Sequence, residues 1–282
     1  MQHIRNLING MLIGISSIIP GMSGGTMSVI LDIFDEMIGA ISNLRRNFKK
    51  SVIYLAPIGV GMVLGVLLLS GILSGMLQSH PVEMQLFFIG VVAGSIPLVV
   101  RKSLEEPFRR HSLLALIAAL AVMICIFFVR PDDSGVELIR NPSLTQMIQL
   151  LLYAAFAAAA MVIPGVSGSF FLMLFGVYHS VLTAVSEWNF AVLVPTGVGM
   201  IIGILFCAKI LDILLQQHKQ AMYFGILGCV IGSIPNIWPS QPVEGMDILW
   251  GLLACLAGAA LSLLCTSNLL RGLFSRRKPE EK

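Results

Sequence analysis

The chain has 282 residues, of which 56% belong to the apolar set AVILMFWYC and only 12% are Asp, Glu, Lys or Arg; its net charge is +3 and its mean hydropathy +0.89. Soluble domains carry roughly twice that charged fraction, so lipid is the expected solvent. The composition excludes a soluble enzyme, a disulfide scaffold, a disordered chain and a nucleic-acid binder.

The first apolar run, 11–19, ends in Pro-Gly without a small-x-small cleavage site, which predicts that it stays in the mature protein. It belongs to a longer region, 7–44, broken near its middle. Three apolar stretches follow at 51–77, 84–100 and 112–129, each at or near the ~20 residues that cross a hydrocarbon core of roughly 30 Å. An outer linker, 131–143, precedes a second long region, 144–186, which holds no Asp, Glu, Lys or Arg and is likewise broken by Pro-Gly. Stretches 190–215, 222–238 and 248–270 complete the set, and 271–282 is a basic tail. Breaks in a membrane helix free backbone groups that lipid cannot satisfy, so they persist only where protein or a wet cavity covers them. Regions 7–44 and 144–186 are therefore predicted to be helical hairpins, either two tilted spans or one re-entrant loop, that return the chain to its starting side.

Lysine and arginine placement sets the orientation. Arg45, Arg46, Lys49 and Lys50, then Arg101, Lys102, Arg109 and Arg110, then Arg271, Arg276, Arg277 and Lys278 form three clusters expected in the cytoplasm, with both termini. Loops 78–83, 187–189 and 239–247 hold no Lys or Arg and are expected outside. Arg140, beside Asp132, Asp133 and Glu137, is the one mild exception.

The chain also repeats itself. IPGMSGG at 19–25 returns as IPGVSGS 144 residues later, while PIGVGMVLG at 57–65 and GSIP at 94–97 return as PTGVGMIIG and GSIP 138 residues later. These motifs define two halves, 1–130 and 144–270. One hairpin plus three spans is an odd number of net crossings, so the second half is expected upside down. The charges agree, because basic loops 45–50 and 101–110 correspond to 184–189 and 236–247, which lack Lys and Arg. The predicted fold is an all-α polytopic membrane protein with an inverted-topology repeat, each half a Pro-Gly-broken hairpin plus three transmembrane helices. Secondary transporters share this architecture and bind substrate near the midplane, where broken helices of the two halves meet.

Ser23, Gly24, Gly25 and Thr26 at the first tip, with Ser167, Gly168 and Ser169 at the second, are candidate substrate-binding residues. Glycines let backbone amides approach a ligand and hydroxyls add donors, so two facing tips would form a small anion cradle. For GVGMxxG, close helix packing is the preferred reading.

Charged residues in apolar surroundings are costly and usually have a task. Asp32, Asp35 and Glu36 are spaced to share a helix face; Asp35 and Glu36 are candidates for a protonatable or cation-binding group, weighed against simple solvation. Arg101 and Lys102 are candidate contacts for an anionic headgroup, weighed against interfacial snorkelling. Lys209 and Asp212 predict an ordinary ion pair. His80 and His218 occupy equivalent span ends, and His179, at the place of Asp35 in the second half, is a candidate proton-linked group. The cysteines Cys125, Cys207, Cys229, Cys255 and Cys265 sit in apolar runs without ligand spacing, which predicts buried, inert thiols and no metal or cofactor. With no GxSxG elbow, HExxH helix or Walker loop, no catalytic constellation is expected.

In the segments IPGMSGGTMSVILDIFDEMIGAISNL and MVIPGVSGSFFLMLFGVYHSVL, together with GSIP, the chain resembles the bacterial polyprenyl-phosphate transporter family over nearly its whole length. The resemblance implies a flippase of the bacterial cytoplasmic membrane, returning undecaprenyl phosphate, the lipid carrier of envelope-glycan synthesis, to the inner leaflet. It places Ser23, Gly24, Gly25 and Thr26 in the first family motif and Ser167, Gly168 and Ser169 in the second. Asp35 falls where the family often has an acidic residue after an aromatic one. Asp32 stands where glycine is expected, and His179 replaces a frequently acidic position. The implied partners are the polyprenyl-phosphate lipid and the membrane, with a proton or sodium as coupling ion and no nucleic acid. The alternative is a secondary transporter of a small soluble anion, which would need an aqueous path.

Overall fold

The computed structural model describes residues 2–17, 23–129, 138–239, 241 and 245–266. Pro20, Gly21 and Met22 of the first tip, most of the outer linker and the third basic cluster lie outside the described residues. The first half contains α1 (Gln2–Ser16), α2 (Gly24–Ile30), α3 (Phe34–Ser42), α4 (Phe48–Ser79), α5 (Pro81–Ser103) and α6 (Ser112–Phe128). The second contains α7 (Leu144–Val162), α8 (Gly168–Leu174), α9 (Tyr178–Glu187), α10 (Phe190–Gln217), α11 (Lys219–Ile237) and α12 (Met246–Thr266).

Helices α4, α5, α7, α10, α11 and α12 are long and apolar enough to cross a membrane, and the chain is a multi-pass membrane protein. Residues 112–129, expected as a span, form α6, which at 17 residues is shorter than the others. The first arm of the second hairpin, α7, has span length at 19 residues. Large apolar side chains such as Leu67, Leu114, Phe206 and Leu256 are exposed on the outer faces, an arrangement that suits lipid and not water. Cys207 and Cys229 are buried as expected, but Cys125 is exposed because its side of α6 faces outward.

The helices pack in matching pairs. α1 lies on α4 as α7 lies on α10, α5 lies on α12 as α11 lies on α6, and α5 meets α11 between the halves. Glycines set two of these contacts. A Cβ on Gly61 or Gly65 would stand 2.1 or 2.4 Å from the carbonyl oxygen of Leu7 or Met11, and one on Gly199 or Gly203 would stand 2.2 or 2.0 Å from that of Leu151 or Ala155. Both the glycines and their partners recur in register between the halves. Gly59 and Gly197 of the same motifs face open space. Gly203→Val is thus expected to push α10 off α7 and cost about 1–3 kcal/mol. Gly197→Ala should instead stabilise α10 by about 0.5–1 kcal/mol. Thermal unfolding in detergent reads both, and midpoint shifts of the same sign would refute the packing role.

Each returning arm breaks a second time, which the hairpin pattern did not foretell. The Ile33 N–H bonds the Ser28 carbonyl (2.9 Å) and the Asp32 N–H that of Val29 (3.0 Å), while Val177 and Gly176 make the same bonds to Leu172 and Met173, both 2.9 Å. This is a Schellman ending, whose last residue takes a left-handed backbone. Gly176 has φ +68, and its equivalent Asp32 has φ +58. The joint turns α8 and α9 through 107°. Asp32 therefore lies off α3 and does not share a helix face with Asp35 and Glu36, as their spacing had suggested.

Charge separates the two ends of the bundle. At one end the Gln220 Oε1 accepts from the Arg109 N–H (2.8 Å) and the Ser112 hydroxyl (3.0 Å). Nearby, the Ser42 hydroxyl donates to Asp212 (2.7 Å), which also accepts from Gln216 (2.9 Å). The expected Lys209–Asp212 pair does not form, since Asp212 is buried toward α3 and Lys209 is exposed. At the other end Arg140 pairs with Glu187 at 2.9 Å. The helix α11 runs unbroken from Lys219 to Ile237, so the loop at 104–111 and the segment after Ile237 lie at opposite ends.

Candidate functional site

The second tip is a tight turn. The Val166 N–H bonds the Ile163 carbonyl at 3.3 Å, with Pro164 second and Gly165 third at φ +84, the signature of a type II turn. The turn aims the Gly165 N–H at the first tip, where it donates to Thr26 Oγ1 (2.7 Å) and Ser23 Oγ (3.2 Å). Ser23 also caps α2, accepting from the Thr26 N–H at 3.2 Å, and the two hydroxyls share a hydrogen bond of 3.0 Å. Ser23 and Thr26 are 4% and 1% exposed. Gly25 admits the second tip closely, because a Cβ there would stand 2.9 Å from the Val162 carbonyl oxygen.

The two sequence motifs are thus in contact, through the amide of Gly165, a motif residue that was not among the candidate binding residues. Their hydroxyls differ in use. Ser23 and Thr26 are turned onto Gly165, whereas Ser167 and Ser169 bond each other at 2.8 Å on an exposed surface. Gly24 and Gly168 are buried against their own first arms, where a Cβ would stand 3.1 Å from Ile13 Cγ2 and 2.8 Å from the Ala157 carbonyl oxygen, respectively.

A second polar feature lies at the charged end. A cavity of about 250 Å³ is lined by Asp32, Asp35, Glu36, Arg101, Lys102, Glu105 and Lys219. The Lys102 Nζ is ion-paired with Asp32 Oδ1, lies 3.7 Å from Asp35 Oδ2 and donates to the Tyr223 hydroxyl at 3.0 Å. That hydroxyl donates in turn to Asp35 Oδ1 at 2.5 Å, and Lys219 pairs with Glu105 at 2.6 Å. The candidates Asp35, Glu36 and Arg101 all reach this cavity, Arg101 from an exposed position. His179 does not; it is exposed on α9 beside Tyr178, with ring centroids 5.5 Å apart. Asp35 and His179 match in the repeat but not in surroundings.

Sequence reasoning named Lys102 as a headgroup contact but missed its partners Asp32, Asp35 and Tyr223, and it missed Tyr223 altogether. Lys102 does not snorkel to the surface; its side chain is 14% exposed. A tyrosine near a span end ordinarily signals the membrane interface, and Tyr223 is instead wholly buried. Its partner is 121 residues away, beyond the reach of any local pattern.

Residues 13–248 match the model of the VCA0040-like family, described as undecaprenyl phosphate translocase-like. The chain belongs to the undecaprenyl phosphate translocase-like family. A polyprenyl-phosphate transporter of Staphylococcus aureus is 32% identical over 273 residues, covering 93% of this chain and 96% of that protein. A polyprenyl-phosphate transporter of Vibrio cholerae is 28% identical over 253 residues, covering 85% and 79%. No solved structure matches the chain. In this undecaprenyl phosphate translocase-like protein the matched span takes in both tips and the whole charged cavity. The family and both relatives are named for transport, not for a chemical reaction.

Proposed function

We propose that this protein is a flippase for polyprenyl phosphate, in its undecaprenyl form, in the bacterial cytoplasmic membrane, and that it returns the lipid carrier of envelope-glycan synthesis to the inner leaflet. The phosphate headgroup sits where the two hairpin tips meet. The observation that carries this reading is the contact of the tips through the Gly165 amide, with the Ser167–Ser169 hydroxyl pair exposed two residues beyond it. A phosphate cannot shed its water into hydrocarbon without a cost of many kcal/mol, so a carrier needs to shelter only the headgroup while the tail stays in lipid. The inverted halves, with both termini in the cytoplasm, rock about the tips and expose the seat to each leaflet in turn. The matching helix pairs and the opposite placement of the loops flanking α11 support that motion.

Headgroup accessibility, read leaflet by leaflet in proteoliposomes, tests the tip model. Ser167→Ala with Ser169→Ala removes two hydroxyls that bond only each other among the described contacts, so the variant should fold normally. A hydrogen bond to a charged group contributes about 1.5–3 kcal/mol, and translocation should therefore slow about tenfold or more. Undiminished translocation by the folded variant refutes the tip model. Competition by inorganic phosphate, with none by polyprenyl phosphate, would point to a soluble anion as substrate.

A further inference from the structure

The charged cavity already holds a cation, and we propose that the Lys102 ammonium occupies the place of a coupling ion, so that this site takes a free alkali cation only when Lys102 is removed. The inference deepens the transport reading, but its test does not depend on that reading.

In inverted-repeat transporters, coupling cations sit where a membrane helix is interrupted, held by oxygens of the interruption. The joint between α2 and α3 is such a place. Asp32 stands at the joint, Asp35 in the first turn of α3, and α11 of the other half supplies the Tyr223 hydroxyl. Oxygens of all three converge on a single Nζ. Carboxylates and a phenol are hard oxygen ligands, and the ammonium supplies a single positive charge there, so the free ion of equal charge that replaces it is an alkali cation. Left without a cation, the two carboxylates would stand close together with their charge uncompensated by Lys102, which favours uptake of a free cation in its place. Of the other charges lining the cavity, Lys219 is paired with Glu105, Arg101 is exposed, and Glu36 is the next residue along α3; Lys102 is the ammonium in direct contact with both Asp32 and Asp35.

The two halves differ at this turn. Asp is among the few residues with a Cβ that take up a left-handed turn, and the same turn in the second half is made by Gly176. Asp32 thus serves the turn and the ammonium together, whereas Gly176 serves the turn alone. The second half carries Gly176, His179 and Ser180 where the first carries Asp32, Asp35 and Glu36, so the cation place occurs once, at one end. Truncating Lys102 would leave its oxygens around a cavity already about 250 Å³ in volume, ample for an alkali ion with waters, each of which needs about 30 Å³.

Melting temperatures of the purified protein in detergent, in sodium chloride and in choline chloride at equal ionic strength, test the proposal. The natural protein should melt alike in both salts. Lys102→Ala should melt lower in choline and recover in sodium, with a midpoint that rises with the logarithm of sodium concentration. Lys102→Ala combined with Asp32→Asn should lose that response, and Lys102→Arg, which keeps a tethered cation, should stay indifferent. Lys102→Met provides a second truncation. The proposal is overturned if the natural protein shows saturable sodium-specific stabilisation, if both truncations melt alike in the two salts, or if neither folds even in sodium. Should the melting results hold while the Ser167/Ser169 variant translocates normally, the cation assignment stands and the tip model falls.

Discussion

Gly165→Ala is expected to be the most damaging single substitution in the site. At φ +84 any side chain costs about 1–2 kcal/mol. The added methyl would also stand 2.6 Å from the Cys229 carbonyl oxygen and 2.9 Å from its carbon, overpacking that costs about 1–3 kcal/mol. The turn cannot easily yield, because Pro164 limits its backbone and the Gly165 amide is held by Ser23 and Thr26 on the opposite side. A total loss of about 2–5 kcal/mol should appear as a lower unfolding midpoint in detergent, with translocation abolished. Gly225→Ala, whose methyl meets nothing within 4 Å, is the control. If both variants melt like the natural protein, α11 does not back the second tip as described.

Removing both acceptors of the Gly165 amide should cost more than the two single losses combined. Ser23→Ala leaves the Thr26 hydroxyl at 2.7 Å, and Thr26→Val leaves the Ser23 hydroxyl at 3.2 Å. Each single variant keeps the amide satisfied and should lose about 0.5–1.5 kcal/mol, with a further loss of about 1 kcal/mol at Ser23 for the α2 cap. The double variant leaves a buried N–H without an acceptor, at an added cost of about 1–3 kcal/mol. A double-mutant cycle on unfolding free energy measures this excess as a coupling term. Strict additivity would mean that the two hydroxyls do not substitute for one another, and the tip contact would need another account.

Much of this was legible in the residue order. Apolar stretches at 51–77, 84–100, 190–215, 222–238 and 248–270 appear as α4, α5, α10, α11 and α12, because spanning a bilayer demands length and apolarity and little else. The glycines of GVGMxxG pack helices because a missing Cβ is itself the chemistry of close approach. The motif IPGxSG marked the turn of the second tip, since Pro and Gly at those spacings dictate a turn in any surroundings; Pro20 and Gly21 of the first lie outside the described residues. The second break was missed at Asp32, where aspartate does the work usually given to glycine. At 168–187 the apolar run carried straight across Gly176 and disguised a bend of 107°.

Other assignments failed for a different reason. Asp212 was matched to Lys209 by spacing, yet its partners are Ser42 and Gln216, because α3 packs on α10 and buries that side. His179 and Asp35 are equals in the repeat, but only Asp35 has Lys102 of α5 and Tyr223 of α11 beside it.

By itself, the order of residues determined that this protein lives in lipid, that its motifs occur twice in the same order, that the second copy of IPGxSG makes a turn, and to which family it belongs. Those properties follow from composition and backbone chemistry, which act over a few residues at a time. Tertiary structure alone decided that the tips join through the Gly165 amide, that Ser23 and Thr26 face inward while Ser167 and Ser169 stay exposed, and that Lys102 lies among Asp32, Asp35 and Tyr223. Hydrogen bonds and ion pairs depend on side-chain direction and on separations of a few ångströms between groups over a hundred residues apart, and only packing sets those distances.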